Sequence, residues 1–256
     1  MVFANMTHST DEQTAPFGFS EVPKAAKARL VRDVFERVAE RYDIMNDVMS
    51  LGVHRLWKRD FLTRLNLRPG ERLLDVAGGT GDIARGALAH ARRHGGDATV
   101  ILADINEEMV RAGIKRGKDE GITWSVGDAE SLAFPDKSFD AYTIAFGIRN
   151  VTGLDNALAE ARRVLKTGGR FLCLEFSDVS VPGLDAVYDA YSFKAIPKLG
   201  EWIAGDGPAY KYLVESIRRF PAADAFAARI TAAGFSNVTY RKLSGGIAAI
   251  HSGWRI

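Results

Sequence analysis

Arg72-Leu-Leu-Asp75-Val-Ala-Gly78-Gly79-Thr80-Gly81-Asp82 is the stretch on which the fold turns. It opens as a short apolar run, reads as a strand, and breaks into a glycine-rich turn. Ile83 to Ala91 then has helical character. Glycines at a strand-to-helix turn let the backbone approach a ligand closely and leave helix N–H groups pointing at it. Outward from that turn the pattern repeats. Ala98–Ala103 reads as a second strand ending in Asp104, and Asn106 stands at the N-cap of the next helix, with Glu107 and Glu108 in its first turn. Ile122–Val126, Phe139–Phe146 and Arg170–Phe176 read as three more strands, and Leu154–Leu165 as a helix closed by Gly168-Gly169. Strands alternating with helices predict right-handed crossovers and a mostly parallel, doubly wound α/β sheet with helices on both faces. Val238–Leu243 and Ile247–Trp254, joined by Ser244-Gly245-Gly246, predict a C-terminal antiparallel hairpin.

Composition bounds the rest. The chain has 256 residues, with 34 Lys and Arg against 32 Asp and Glu, a formal net charge of +2. Hydrophobic residues make up 46% and charged residues 26%, as in ordinary globular proteins. Balanced charge argues against a nucleic-acid partner. The single cysteine, Cys173, cannot form an internal disulfide, leaves no cysteine cluster for a metal, and reads as a buried strand residue. No apolar run approaches a membrane span. Residues 1–23 are polar and unperiodic, without the layout of a secretory signal or transit peptide, and are expected to form a mostly flexible tail. The expected location is the cytoplasm. Residues 24–69 read as a helical segment: Leu30, Val31, Val34, Phe35, Val38 and Tyr42 recur at helical spacing, and a second helix runs from Leu51 or His54 to Leu65. Residues 70–256 then form the main domain. Within it, 181–220 carry seven aromatics (Tyr188, Tyr191, Phe193, Trp202, Tyr210, Tyr212 and Phe220) and are expected to form a helical cap insertion.

The glycine loop alone is ambiguous. Gly79-Thr80-Gly81-Asp82-Ile83-Ala84 also satisfies a dinucleotide fingerprint, and an acid at Asp104 suits a ribose in either case. Three features separate the alternatives. Asp75 lies within the first strand, Gly127-Asp128-Ala129-Glu130 makes an acidic tip after the third, and the terminal hairpin replaces a second mononucleotide half. As a set they resemble a class I S-adenosylmethionine-dependent methyltransferase. That resemblance implies that residues 75–81, Gly79 and Thr80 among them, hold the amino-acid portion of S-adenosyl-L-methionine. Asp104 then takes the ribose, and Asp128 and Ala129 flank the adenine. No metal is expected.

Two flanking stretches narrow the resemblance. Residues 42–57, Tyr42-Asp-Ile-Met-Asn46-Asp-Val-Met-Ser-Leu-Gly-Val-His54-Arg-Leu-Trp57, and residues 163–177, from Arg163 to Ser177, look like the two signatures of the ubiquinone/menaquinone biosynthesis C-methyltransferase (UbiE) family. Residues 145–151 and 188–193 also match, and the similarity runs from about Phe17 to Ile256. Thr167 stands where the family usually has Pro, and Ala145 where it often has Ser. The resemblance implies carbon methylation of a polyprenylated quinol ring: a methoxy-benzoquinol on the ubiquinone route, a demethylmenaquinol on the menaquinone route, or both. Such chemistry needs orientation, a stabilised phenolate and a route for a proton. Arg149 and Asn150, at the carboxyl edge of the sheet, are the candidate catalytic residues. Tyr42, Asn46, His54 and Trp57 read either as a lid or as a packed hinge. A greasy substrate implies transient contact with a membrane surface, through Arg29, Arg32, His54, Arg55, Lys58 and Arg59, and hence a peripheral place at its inner face. A quinone-synthesis complex is a further expected partner. The competing readings are another small-molecule methyltransferase, a nicotinamide oxidoreductase, and a non-catalytic member of such a complex.

Overall fold

The computed structural model describes residues 14–38, 52–117, 120–179 and 206–256, together with Asp47, Ser50, Ile196, Lys198 and Glu201. The elements, in order, are β1 (Thr14–Phe17), β2 (Ser20–Pro23), α1 (Lys24–Val38), α2 (His54–Leu65), β3 (Arg72–Val76), α3 (Asp82–Arg93), β4 (Thr99–Asp104), α4 (Glu107–Lys115), β5 (Ile122–Val126), β6 (Phe139–Ala145), α5 (Leu154–Val164), β7 (Leu165–Phe176), α6 (Gly207–Arg219), α7 (Ala223–Ala232), β8 (Ser236–Leu243) and β9 (Ala248–Trp254). β3 to β9 form one seven-stranded sheet in the order β5-β4-β3-β6-β7-β9-β8. β5 through β7 are mutually parallel, and β9 and β8 close the edge antiparallel.

Side-chain alternation along the strands builds a core on each face. Leu73, Leu172, Leu174 and Phe176 pack with Val31 of α1, Trp57 and Phe61 of α2, Ile83 and Ala87 of α3, and Tyr210 and Leu213 of α6. Leu74, Phe171 and Cys173 point the other way, onto Ala157, Leu158 and Ala161 of α5 and Phe226 and Ile230 of α7. Asn106 caps α4 as its spacing predicts, accepting from the backbone N–H groups of Glu108 and Met109.

Two local expectations change. Gly168-Gly169 do not close a helix: α5 ends at Val164 and the strand already begins at Leu165. The glycine pair instead forms a kink, with Gly168 at φ +80°, pinned by backbone bonds to Arg255. Residues 14–23, expected in the flexible tail, form the antiparallel β1–β2 pair. That pair docks on α6: Phe17 stacks on Tyr212 at 4.3 Å, and Arg219 reaches both the Gly18 carbonyl and the Glu21 carboxylate. Of the expected cap, 206–219 are described, as α6 with its Asp206 N-cap; most of 181–205 lies outside the described residues.

The chain leaves β3 and β6, adjacent strands, toward opposite faces, and their tips part to leave a crevice. Ala77 (φ +50°) and Phe146 (φ +58°) adopt left-handed backbone there. Gly147 lets the tips approach, since a Cβ on it would collide with the Ala77 methyl. Gly147→Ala is therefore expected to lower stability by about 1–3 kcal/mol, the usual effect of overpacking, read as an earlier urea midpoint.

Candidate functional site

A cavity of about 310 Å³ fills the crevice. Its floor is the row of strand tips: Val76, Ala77 and Gly79 after β3, Asp104 to Asn106 after β4, Gly127 to Glu130 after β5, and Phe146, Gly147 and Asn150 after β6. Its roof is α1, which presents Ala25, Ala28, Val31 and Phe35, with Lys24 and Arg32 at the rim. Lys27 fixes that roof: its buried ammonium donates to the Val151 carbonyl at 2.8 Å.

Three buried carboxylates set the electrostatics. Asp104 ends β4; one oxygen accepts from the Gly79 N–H and the other from the Asn106 N–H, both at 2.8 Å. Burial still pushes its pKa up, against those two bonds. A carboxylate has about four acceptor positions, so Asp104 can also receive hydroxyl donors from the cavity. Asp75 is 1% exposed. Its Oδ1 accepts from the Thr143 hydroxyl at 2.7 Å, whereas Oδ2 is buried without a hydrogen bond. Burial is the largest influence on it and pushes its pKa up to about 7. An orphaned buried acceptor beside a glycine turn is what a cationic ligand group would satisfy.

Glu175 is the third, fully buried on β7. Burial raises its pKa, and the Arg149 guanidinium at 2.7 Å opposes the rise. Arg149 also donates to the Phe146 carbonyl at 2.6 Å and lies over the Phe176 ring. Its side chain is thus committed to holding the β6 turn and faces a second cavity of about 390 Å³, not the one between the strand tips. Asn150 does line the first cavity, with its carbonyl oxygen accepting from the Tyr212 hydroxyl at 3.1 Å.

The other expected site residues divide similarly. Gly79, Asp104, Asp128 and Ala129 line the 310 Å³ cavity together. Thr80 is buried outside it: its hydroxyl accepts from Arg116 at 3.0 Å, and it borders a small space of about 20 Å³ next to Asp75. Trp57 is packed edge-on against Phe176 and donates to the Ser244 hydroxyl. His54 is buried against Ser50, and that burial lowers its pKa. Cys173 is buried and its thiol is pushed well up. Tyr42 and Asn46 lie outside the described residues. Among the described residues no cluster of His, Cys, Asp or Glu could hold a metal ion. Sequence reasoning missed Glu175, Lys27, and Ile105 and Met109 on the cavity wall; α1 was legible as amphipathic, but not as the roof.

A sequence model of the ubiE/COQ5 methyltransferase family matches residues 22–255. The chain is 58% identical over 248 residues to "Ubiquinone/menaquinone biosynthesis C-methyltransferase UbiE" of Caulobacter vibrioides, covering 95% of this chain and 98% of that one. It is 55% identical over 252 residues to the protein of the same name from Bradyrhizobium sp., covering 96% and 98%. Among solved structures, an S-adenosylmethionine-dependent methyltransferase of Thermotoga maritima superposes with a TM-score of 0.60 at 22% identity, over 88% of this chain and all of that one. A second, from Aquifex aeolicus, gives 0.56 at 15%, over 78% and 89%. At such identities these two speak to the fold.

Two tests follow from the buried charges. Arg149→Met and Glu175→Leu each strand a buried partner and are expected to cost about 3–5 kcal/mol, while the double variant costs clearly less than the sum; a double-mutant cycle in urea measures this. Asp75 holds its proton to higher pH in the native state than in the unfolded chain, whose value lies near the ordinary 3.8. Its contribution to stability is full below that value and declines as pH rises toward about 7, by up to about 1.4 kcal/mol per unit. Urea unfolding of the ligand-free protein across this window should show that decline, and Asp75→Asn should flatten it.

Proposed function

The chain belongs to the ubiE/COQ5 methyltransferase family, and we propose that the crevice between β3 and β6 is where it brings S-adenosyl-L-methionine against a polyprenylated quinol ring. It is an S-adenosylmethionine-dependent C-methyltransferase of ubiquinone/menaquinone biosynthesis. The observation that carries the placement is the convergence of Asp75, Asp104 and Asp128 on one crevice at the reversal of strand order. Asp104 receives the ribose hydroxyls, Asp128 and Ala129 border the adenine, and the turn from Asp75 to Gly81 holds the amino-acid end. Thr80 acts within that turn, shaping it through Arg116 and Arg85. When bound, S-adenosyl-L-methionine supplies an electrophilic methyl group.

The protein's own task is to orient an electron-rich ring and keep water out. Asn150 is the side chain suited to the ring oxygen: Tyr212 engages its carbonyl, which leaves the amide N–H donors for a phenolate. Arg149 supports Asn150 from behind, by holding the turn that carries it. Phe35, Val31 and Phe146 give the ring an apolar surround. The isoprenoid tail calls for transient contact with a membrane surface at its inner face. Among the described residues no helix is long and apolar enough to cross a membrane, whereas Leu56 is 64% exposed on the helix that carries Arg55 and Arg59. Membership of a quinone-synthesis complex is compatible with this role.

Labelled S-adenosyl-L-methionine offered with a demethylated quinol is expected to transfer its methyl group to a ring carbon. Asn150→Ala should slow turnover about 100-fold, as loss of one anion-stabilising donor does, with cofactor affinity nearly unchanged. Cofactor binding without methylation of either a benzoquinol or a naphthoquinol would refute the quinol substrate.

A further inference from the structure

The amino-acid end of the cofactor carries an ammonium and a carboxylate on one carbon. A site for it must present a negative and a positive group across one small space. Asp75 supplies the negative side, with its buried Oδ2 lacking a hydrogen bond. The glycine turn offers backbone N–H groups there but no full positive charge.

The space beside Asp75 is lined by Lys58, Ala77, Gly78, Thr80 and Asp82 among others, and its volume is about 20 Å³. It shares Ala77 and Phe146 with the 310 Å³ cavity, so the two are neighbours across the β3 and β6 tips. Two carboxylates, Asp75 and Asp82, face this space, and among the residues that line it Lys58 is the full positive charge set against them. We propose that Lys58, projecting from α2, takes the α-carboxylate of S-adenosyl-L-methionine, opposite Asp75; this rests on the reading of the crevice as the cofactor site.

Lys58 is poised for that task. Its side chain is 13% exposed, and its ammonium lies 2.7 Å from Asp82, whose own side chain is 40% exposed. Open to water on the Asp82 side, the pair holds Lys58 less firmly than a fully buried pair would, although, against burial, it still lowers the Asp82 pKa. A lysine has three donors on a flexible stem, so it can engage an incoming carboxylate while keeping or releasing Asp82. Movement is also required, because about 20 Å³ admits one water and not an amino acid. Lys58 is the wall that can yield. On its far side it borders an open depression of about 320 Å³, with His54, Arg55 and Asp82.

The test compares S-adenosyl-L-methionine with its decarboxylated analogue by calorimetric titration of the full chain. The wild-type protein should prefer the carboxylated ligand by about 10- to 100-fold, the worth of one charge-assisted hydrogen bond. Lys58→Met should bring that preference close to one, or invert it, without weakening the decarboxylated ligand. Lys58→Gln, which keeps a polar stem, should do the same, and Lys58→Arg should retain most of the preference. A wild-type ratio in folded Lys58→Met or Lys58→Gln overturns the assignment of Lys58 and leaves the cofactor site standing. Failure of the wild-type protein to bind S-adenosyl-L-methionine at all overturns the cofactor site, and Lys58 with it.

Discussion

The reversal of strand order between β3 and β6 is the constraint from which the rest follows. Once adjacent parallel strands send their chains to opposite faces, their tips cannot be covered by their own helices, and an opening at the carboxyl edge is unavoidable. The backbone there is bent into left-handed turns at Ala77 and Phe146, with Gly147 permitting close approach. Residues at the ends of β3, β4, β5 and β6 are thereby delivered to one place although up to about seventy positions of chain separate them. The opening needs a roof, and α1 supplies it from outside the sheet. The buried Lys27 ammonium bound to Val151 couples that roof to the turn carrying Arg149 and Asn150. The roof over the crevice and the turn that carries Asn150 are in this sense one structural unit.

Three buried carboxylates lie at or next to this opening, and the protein treats each differently. Glu175 is matched by a full countercharge in Arg149. Asp104 is matched by two backbone dipoles. Asp75 takes the Thr143 hydroxyl on Oδ1 and is also helped by the Ala84 backbone N–H, while its Oδ2 is buried without a hydrogen bond. A buried acceptor left without a partner normally costs about 1–3 kcal/mol. Such an expense is tolerable where a ligand recovers it, and the gradient from Glu175 to Asp75 separates structural from ligand-facing acids. Arg149 belongs with the structural group: its guanidinium donates to Ser216, the Phe146 carbonyl and Glu175, and holds a backbone conformation that would otherwise be strained.

Much of this was legible beforehand because it depends on local chemistry. The 72–82 stretch, the Asn106 cap and the Ser244–Gly246 turn are each determined by a few adjacent residues, and the parallel sheet follows from their alternation. The acids at strand ends, Asp104 and Asp128, were legible for the same reason. What was not legible depended on pairing across the fold. Glu175 sits in an apolar strand run, and no spacing rule links it to Arg149 twenty-six residues earlier. Thr80 looked free for the cofactor because Arg116 reaches it from the end of α4. The β1–β2 pair was read as tail because neither strand has a hydrophobic pattern of its own; it is held by Phe17 on Tyr212 and by Arg219, almost two hundred residues away. Gly168-Gly169 signalled a break correctly, but a helix stop and a strand kink share the same glycine signature.

These differences bear on how selectivity is divided in the molecule. The sheet edge offers groups suited to a nucleoside and an amino acid; such groups say little about the acceptor. The acceptor must be chosen by what is added to the sheet: α1 above the crevice, the β1–β2 pair beneath α6, and α6 itself with Tyr212 on Asn150. Phe17 stacks on the same Tyr212 whose hydroxyl engages Asn150. The N-terminal pair is therefore one ring removed from the amide assigned to the quinol oxygen. Losing β1–β2 would free Tyr212 to rotate, and with it the donor geometry at Asn150, while the Asp104 and Asp128 sites would be untouched. The strand-tip acids and the Tyr212–Asn150 pair thus stand on different parts of the chain, joined through the short turn from Phe146 to Thr152.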